Sequence, residues 1–139
     1  MKITSLEQLK SIRQSEIVEL PNFEDGTPLI VEIKRPNMMQ LITSGKIPNT
    51  LLSISMDMFN GKGSEVTEKA MNDAKALKEL VQMMEVIAEA SLVKPSYKDI
   101  KSVNIELNEM QLMAILTYSQ GGIKALENFR NGQTNNQNN

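Results

Sequence analysis

The longest regular pattern of apolar residues runs from Ala74 to Leu92, a stretch without Gly or Pro. Its apolar residues recur every three or four positions, and its charged residues recur at the same spacing on the opposite side. The residues predicted to face the core are Leu77, Leu80, Val81, Met84, Ile87, Ala88 and Ser91. The pattern predicts an α-helix about 28 Å long. Because so broad an apolar face needs neighbours, we expect it to be the central helix of a mainly helical fold.

A second pattern, with a period of two residues, lies nearer the N-terminus. The segment Glu16–Leu20 is rich in β-branched residues, residues 21–28 are dense in turn formers, and Leu29–Arg35 alternates between apolar and polar. Together they predict a small N-terminal β-hairpin within residues 16–35. An isolated two-stranded ribbon is only marginally stable in water. We therefore expect the hairpin to pack on a helix, and the alternative is that its free edge pairs with another chain.

Shorter helical patterns occupy the first half of the chain. Thr4 and Glu7 have the spacing of a capping box, which predicts a first helix over about Ser5–Arg13. Further helices are predicted to start near Pro36 and near Pro48, since Pro is favoured at the first helical position.

The second half continues in the same way. Ser64 is predicted to cap a helix that bends near Asn72 and Asp73 and then joins the central helix. The central helix should end before Lys94, because Pro95 disfavours helical geometry in the residue before it. Residues 96–107 are predicted to be an extended or loosely turned crossing. A further helix should start at Asn108, and two consecutive glycines, 121 and 122, should end it before a short last helix.

Length and composition indicate one compact domain over residues 1–130. The chain has 139 residues, of which 40% are hydrophobic and 23% charged. Residues 131–139 hold no apolar and no charged side chain, which predicts a disordered Asn/Gln-rich tail.

Charge and hydropathy restrict the classes of partner. The net charge is −2 with scattered Lys and Arg, which argues against nucleic-acid binding. No apolar run is long enough to span a membrane and the N-terminus lacks a signal-peptide core, so we expect no membrane partner and a cytoplasmic location.

Two absent residue types restrict the chemistry. The chain contains no His and no Cys, which excludes a Ser-His-acid triad, a thiol nucleophile and the usual zinc and iron ligand sets. The acidic turn Glu24–Asp25 offers too few oxygen ligands for a calcium loop. The segment GKGS, residues 61–64, lacks the upstream Gly and the strand of a phosphate-binding loop. We therefore expect no enzymatic activity, no cofactor and no metal.

Methionine gives the one candidate binding surface. The chain has ten Met residues, including two adjacent pairs. Met fills irregular gaps in cores and also lines adaptable surfaces that hold apolar helices, so both interpretations stay open. Neighbouring helical residues point roughly 100° apart, which should place one Met of each pair at the edge of the core. The candidate partner-binding residues, with two from the hairpin, are Met38, Met39, Met83, Met84, Val18 and Ile30.

Three segments resemble one known family. They are ELPNFEDGTPLIVEIKRPNMMQLITSGKIPNTLL (residues 19–52), VQMMEVIAEASLVKPSYKDI (81–100) and LNEMQLMAILTYSQGGIKALENFR (107–130). In order and spacing they are similar to the tail assembly chaperones of long-tailed phages, of siphovirus and myovirus type, and of prophages of Gram-positive bacteria. The resemblance extends from about Ile17 to Arg130, and it includes neither the N-terminal segment that precedes the hairpin nor the polar tail.

The resemblance implies a non-enzymatic, mostly helical protein of the host cytoplasm. Such a protein holds the long, aggregation-prone tape measure protein while the tail tube assembles, and it is absent from the mature virion. The implied partners are the tape measure protein, the tail tube protein and a frameshifted longer form of the chain itself, and a homo-oligomer is compatible with the pattern. The alternative is a structural minor tail or head–tail connector protein that stays in the virion.

Overall fold

The fold is mainly helical with one small antiparallel sheet, as predicted. The computed structural model describes the backbone of residues 1–137 and the side chains of residues 1–132. The helices are α1 (Leu6–Lys10), α2 (Met38–Thr43), α3 (Leu52–Phe59), α4 (Gly63–Asn72), α5 (Ala74–Ser91), α6 (Tyr97–Ser102) and α7 (Glu109–Gln137). The strands are β1 (Glu16–Leu20), β2 (Leu29–Ile33) and β3 (Leu92–Lys94), and a 3₁₀ turn, Asn49–Leu51, leads into α3.

The central helix α5 lies where the pattern predicts it. The Asp73 carboxylate accepts hydrogen bonds from the backbone N–H groups of Lys75 (2.9 Å) and Ala76 (3.4 Å), so Asp73 is the cap that separates α4 from α5. The helix packs against α3, α4, α6 and α7. Its buried residues are Leu80, Met83, Met84, Ile87, Ala88 and Ser91.

The predicted core-facing side of α5 was partly wrong. Leu77 and Val81 are 48% and 37% exposed, whereas Met83 is fully buried. The buried face is therefore rotated toward Met83, because the neighbouring helices cover that side and leave the Leu77–Val81 side to solvent. Sequence periodicity could not distinguish the two sides, since apolar residues widen the face in both directions.

The hairpin is confirmed, and a third strand completes the sheet. β1 and β2 pair antiparallel with Val18 opposite Val31, and the sheet order is β1-β2-β3. The second strand ends at Ile33 rather than at Arg35. The third strand follows α5 without a loop and places Leu92 opposite Ile33. One face of the sheet packs on the core through Val18, Leu20, Leu29, Val31, Ile33 and Leu92.

Residues 96–107 were predicted to be an extended or loosely turned crossing, which is wrong for Tyr97–Ser102, because these residues form the helix α6, whereas residues 103–107 are not helical. Ser96 caps the short helix α6 by accepting a hydrogen bond from the backbone N–H of Asp99, at 3.0 Å. Ile100, in the middle of α6, is buried against the core. A Ser at the N-cap position with an Asp in the first turn is a helix-start signal that the prediction overlooked.

Local caps elsewhere shift the predicted helix starts by a residue or two. Ser5, rather than Thr4, caps α1. α2 begins at Met38 rather than at Pro36, and Asn37 caps it, because the Asn37 side chain accepts a hydrogen bond from the backbone N–H of Gln40 at 3.0 Å. α4 begins at Gly63 without a side-chain cap, so Ser64 lies in its first turn.

The last helix starts as predicted and continues further than predicted. Asn108 and Gln111 exchange backbone-to-side-chain hydrogen bonds of 2.8 and 2.9 Å. At Gly122 the backbone leaves helical geometry, with φ 75° and ψ −160°, so α7 is two helical segments joined at a kink. The second segment extends to Gln137. The disorder predicted for residues 131–139 stays a prediction. Asn138 and Asn139 lie outside the described residues.

Candidate partner-binding surface

The two methionine pairs have different environments. Met38 is half-buried and Met39 is 55% exposed, which matches the expectation for a pair at the edge of the core. Met83 and Met84 are 0% and 5% exposed, so the same expectation was wrong for them. α5 packs against α3, α4, α6 and α7, and neither Met side chain is accessible to a partner in this structure.

The two candidate partner-binding residues of the hairpin lie on opposite faces of the sheet. Val18 faces the core and is 6% exposed, whereas Ile30 is 59% exposed on the outer face of the sheet. Val18 pairs with Val31 across the two strands, and Ile30 is the neighbour of Val31 along β2. Because successive strand residues point to opposite faces, Ile30 lies on the face opposite to Val18. β1 is an edge strand of the described sheet, and its outer face also carries Ile17, which is 77% exposed.

An open groove lies beside Met38. We call it the Met38 groove, and its volume is about 710 Å³. Its lining residues are Arg35, Pro36, Met38, Met58, Phe59, Gly61, Gly63, Ser64, Ser119 and Gln120. α2 and α3 pack against each other and supply its apolar wall, and Phe59 at the end of α3 is 43% exposed. The groove therefore presents Met and Phe side chains between polar rims.

Arg35 fixes one end of this groove. Its Nη2 donates to the carbonyl of Gln120 at 2.8 Å, and its Nε donates to the carbonyl of Ser119 at 3.3 Å. These carbonyls belong to the last turn before the kink at Gly122, where helical partners are missing. Arg35 thus ties the end of the hairpin to the end of the first segment of α7.

The opposite wall of the Met38 groove is formed where Gly63, at the start of α4, lies close to the side chain of Gln120 in α7. A Cβ on Gly63 would lie 2.7 Å from Nε2 and 2.9 Å from Oε1 of Gln120, which is too close unless the amide moves. The start of α4 therefore packs directly against α7. The GKGS segment, which lacks the features of a phosphate-binding loop, forms part of the groove wall.

A second depression flanks the same arginine but is more polar. It has a volume of about 710 Å³ and shares Arg35 and Pro36 with the Met38 groove. Its remaining lining includes Gln14, Lys34, Lys46 and Glu89. An apolar segment would gain less from this lining than from the Met and Phe side chains of the Met38 groove.

The titratable groups with shifted pKa values lie outside the Met38 groove. The pKa of Tyr118 is raised to about 12 by burial, and the 2.8 Å hydrogen bond that the Tyr118 hydroxyl donates to Glu16 Oε1 reinforces this shift.

Two exposed groups also have shifted pKa values. A hydrogen bond with Tyr97 raises the pKa of Lys101, whose Nζ lies 5.0 Å from the centre of the Tyr97 ring. The backbone N–H of Thr27, 2.9 Å from Asp25 Oδ1, lowers the pKa of Asp25 in the hairpin turn. Each shift has a local structural cause.

The described residues contain no group of three or more His, Cys, Asp or Glu side chains that could hold a metal ion. Among the same residues, no helix is both long and apolar enough to cross a membrane.

Comparisons with protein-family models, with curated proteins and with solved structures find no match to this chain. The features that bear on its function are therefore those of the chain itself.

Sequence reasoning did not identify three residues that shape the Met38 groove: Arg35, Phe59 and Gln120. The signal for Phe59 was present, since it is the last apolar residue before the turn at residues 60–63. Arg35 and Gln120 are 85 residues apart, and nothing local in the sequence predicts their hydrogen bond.

Proposed function

We propose that the protein is a phage tail assembly chaperone that binds apolar segments of the tape measure protein in the host cytoplasm. The observation that carries this proposal is the Met38 groove, an open cleft whose apolar lining includes Met38, Met58 and Phe59. Met side chains adapt to varied apolar partners, which suits a protein that must hold many segments of one long chain. The three segments that resemble tail assembly chaperones support the same role.

The expected ligand is an amphipathic helix of the tape measure protein. Such a helix presents apolar residues three and four positions apart, and these can enter a groove formed by two helices. α2 and α3 provide the paired helices, and Arg35 and Gln120 provide polar groups at the rim. Removal of apolar area from water, worth about 25 cal/mol per Å², would drive the binding. The proposal assigns the tail tube protein and a longer frameshifted form as further partners.

The test is coexpression of the chain with the tape measure protein of the phage or prophage that encodes it. We expect the soluble fraction of the tape measure protein to rise in the presence of the chain. The variant Phe59→Ser should reduce this effect, because it removes an exposed apolar side chain from the groove wall. The matched control is Met71→Ser on α4, which changes a residue that is 79% exposed and outside the groove lining.

Thermal melting followed by circular dichroism should first establish that both variants fold. Equal solubilisation by Phe59→Ser and the unaltered chain would contradict the assignment of the groove. No solubilisation by the unaltered chain would contradict the chaperone role. Mass spectrometry of purified virions tests the structural alternative, since a chaperone should be absent from the particle.

A further inference from the structure

The segment that precedes the hairpin, residues 1–13, forms an apolar arm that nothing in the described chain covers. Ile3, Leu6, Leu9 and Ile12 recur every third residue and are 96%, 76%, 50% and 59% exposed. α1, within this arm, has a complete capping box but no buried residue. So short a helix is not stable in water by its own hydrogen bonds. The capped, exposed α1 therefore lacks a surface that covers its apolar residues in the described fold.

The outer face of the hairpin is a surface with matching apolar residues. Ile17 lies opposite Glu32, and Glu19 lies opposite Ile30, so the two isoleucines and the two glutamates alternate across the strands. Diagonal neighbours on one face of a sheet are about 7–8 Å apart, within reach of one docked side chain. Ile17 and Ile30 are 77% and 59% exposed. The face thus presents a small apolar patch bordered by carboxylates.

The charges of the arm and the hairpin are complementary. The arm contains Lys2, Lys10 and Arg13 against a single acid, Glu7. Residues 16–33 contain five acidic residues and no basic residue. Some of these acids already have partners: Glu19 lies 3.4 Å from Arg130, Glu16 accepts from Tyr118, and Glu32 accepts from Ser15. The hairpin nevertheless remains the most acidic segment of comparable length in the chain, and opposite charge favours and orients association.

The geometry points to a second copy of this chain as the occupant. We propose that two copies exchange their arms, so that the arm of each lies across the outer face of the hairpin of the other. Leu6 and Leu9 would cover Ile17 and Ile30, with Lys10 and Arg13 near Glu19 and Glu32. Every chain carries one arm and one receiving face, and a two-fold axis therefore satisfies both at once. The Met38 groove takes no part, so the proposal does not depend on binding of the tape measure protein.

Docking within one chain is the competing arrangement. The arm leads directly into β1, the strand whose outer face it would have to cover, through a short connection that ends at Ser15. The Ser15 hydroxyl donates to Glu32 Oε2 at 2.7 Å, which holds the end of this connection at the sheet. In the structure the arm lies away from its own hairpin, since Ile17 and all four apolar arm residues are exposed.

The first experiment measures molecular mass by sedimentation over a wide range of concentration. The unaltered full chain should reach twice its 15.5 kDa mass. The double variant Leu6→Asp, Leu9→Asp should raise the dimer dissociation constant at least about a hundredfold, since two leucine side chains lose their apolar contacts. The matched control, Met71→Asp with Leu77→Asp, changes two apolar residues of similar exposure on α4 and α5 and should still dimerise. A monomeric unaltered chain, or a dimer that survives the arm variant, would overturn the proposal.

A charge-exchange experiment tests which surfaces meet. The arm variant Lys10→Glu, Arg13→Glu and the hairpin variant Glu19→Lys, Glu32→Lys should each dimerise weakly, because like charges then face each other. An equimolar mixture of the two should form a heterodimer that raised salt weakens. Thermal melts confirm that each variant is folded. Failure of the mixture to associate would refute contact between the arm and the hairpin.

Because the chain has no Cys, a single introduced Cys can carry a dye at one known position. Such labels distinguish exchange of arms between two chains from docking of the arm within one chain. One population carries a donor dye at Thr4→Cys in the arm, and another carries an acceptor dye at Glu24→Cys in the hairpin loop. Energy transfer between the two singly labelled populations supports exchange. Transfer found only in doubly labelled chains of monomeric mass would show that the arm folds back on its own hairpin, which overturns the proposal.

Discussion

α1 and α5 are both helices that the sequence predicts and whose apolar residues recur every three or four positions, but their environments differ. α5 buries six residues among four other helices, whereas α1 buries none. The difference shows that periodicity identifies the apolar side of a helix and leaves open which surface covers it. For α5 that surface belongs to the same chain. For α1 it has to be sought elsewhere, because the described fold leaves its apolar residues in water.

Length explains part of this difference. α5 has 18 residues and can hold its shape against several neighbours, so its burial is distributed over the whole core. α1 is a single short turn that precedes the sheet, beyond the region where the other helices pack. A substitution in α5 should therefore change stability, and a substitution in α1 should change association.

The largest expected effect is at the centre of α5. Ile87→Ala should lower the free energy of unfolding by about 2–5 kcal/mol, since the side chain is 0% exposed and its loss leaves a cavity. Urea unfolding measures the change. Val81→Ala on the same helix is the control, and it should cost far less because Val81 is 37% exposed. Similar losses for the two variants would mean that the assigned core face of α5 is wrong.

The kink in α7 should be the next most sensitive position. Gly122 has φ 75° and ψ −160°, a region that residues with a Cβ rarely adopt. Gly122→Ala should lower the free energy of unfolding by about 1–3 kcal/mol. Gly132→Ala is the control, because a Cβ there meets nothing within 4 Å and Ala favours a helix. A loss of stability in the control would argue against the helical extension beyond residue 130.

A smaller effect is expected at the contact between α7 and β1. Tyr118→Phe removes the 2.8 Å hydrogen bond to Glu16 and should lower the free energy of unfolding by about 1 kcal/mol. The folded state raises the pKa of Tyr118 from 10.0 to about 12, so only the unfolded chain ionises this group between those pH values. The stability of the unaltered chain should fall as pH rises from about 10 to about 12.

Unfolding curves collected across this pH range measure that loss. Phe has no ionisable group, so the Tyr118→Phe variant should lose less stability over the same interval. If the two proteins lose the same stability between pH 10 and pH 12, ionisation of Tyr118 is not the cause of the loss.

The smallest effect on stability is expected in α1. Leu9→Ala in α1 should change the free energy of unfolding of dilute, monomeric protein by less than about 0.5 kcal/mol, because no side chain of α1 is buried. The same urea titration as for Ile87→Ala gives a direct contrast. A loss comparable to that of a core residue would show that the arm packs on the fold in solution.

Sequence patterns predicted the elements whose signals are local. The hairpin followed from alternation and turn residues, α5 from its long apolar period, and the start of α7 from the Asn108–Gln111 pair. β3 was missed because so short a strand, directly after a helix, carries no strand period of its own. Its position depends on pairing with β2, a strand from the first third of the chain, as Glu32 opposite Lys94 shows.

The candidate site was less predictable, since it depends on which side of each helix is covered. Met38 and Met83 belong to similar Met-Met pairs, yet only the first lies at a groove. The deciding contacts, such as Arg35 with Gln120, join distant parts of the chain. Local patterns do not contain that information.

The direct passage from α5 to β3 has a mechanical consequence. Ser91 ends the helix, Leu92 begins the strand, and the Ser91 carbonyl accepts a hydrogen bond from the Lys34 backbone N–H at 2.9 Å. Because no loop separates the two elements, a force applied to the sheet is transmitted directly to the last turn of α5. A partner that pulls on the sheet should therefore unwind the C-terminal end of α5.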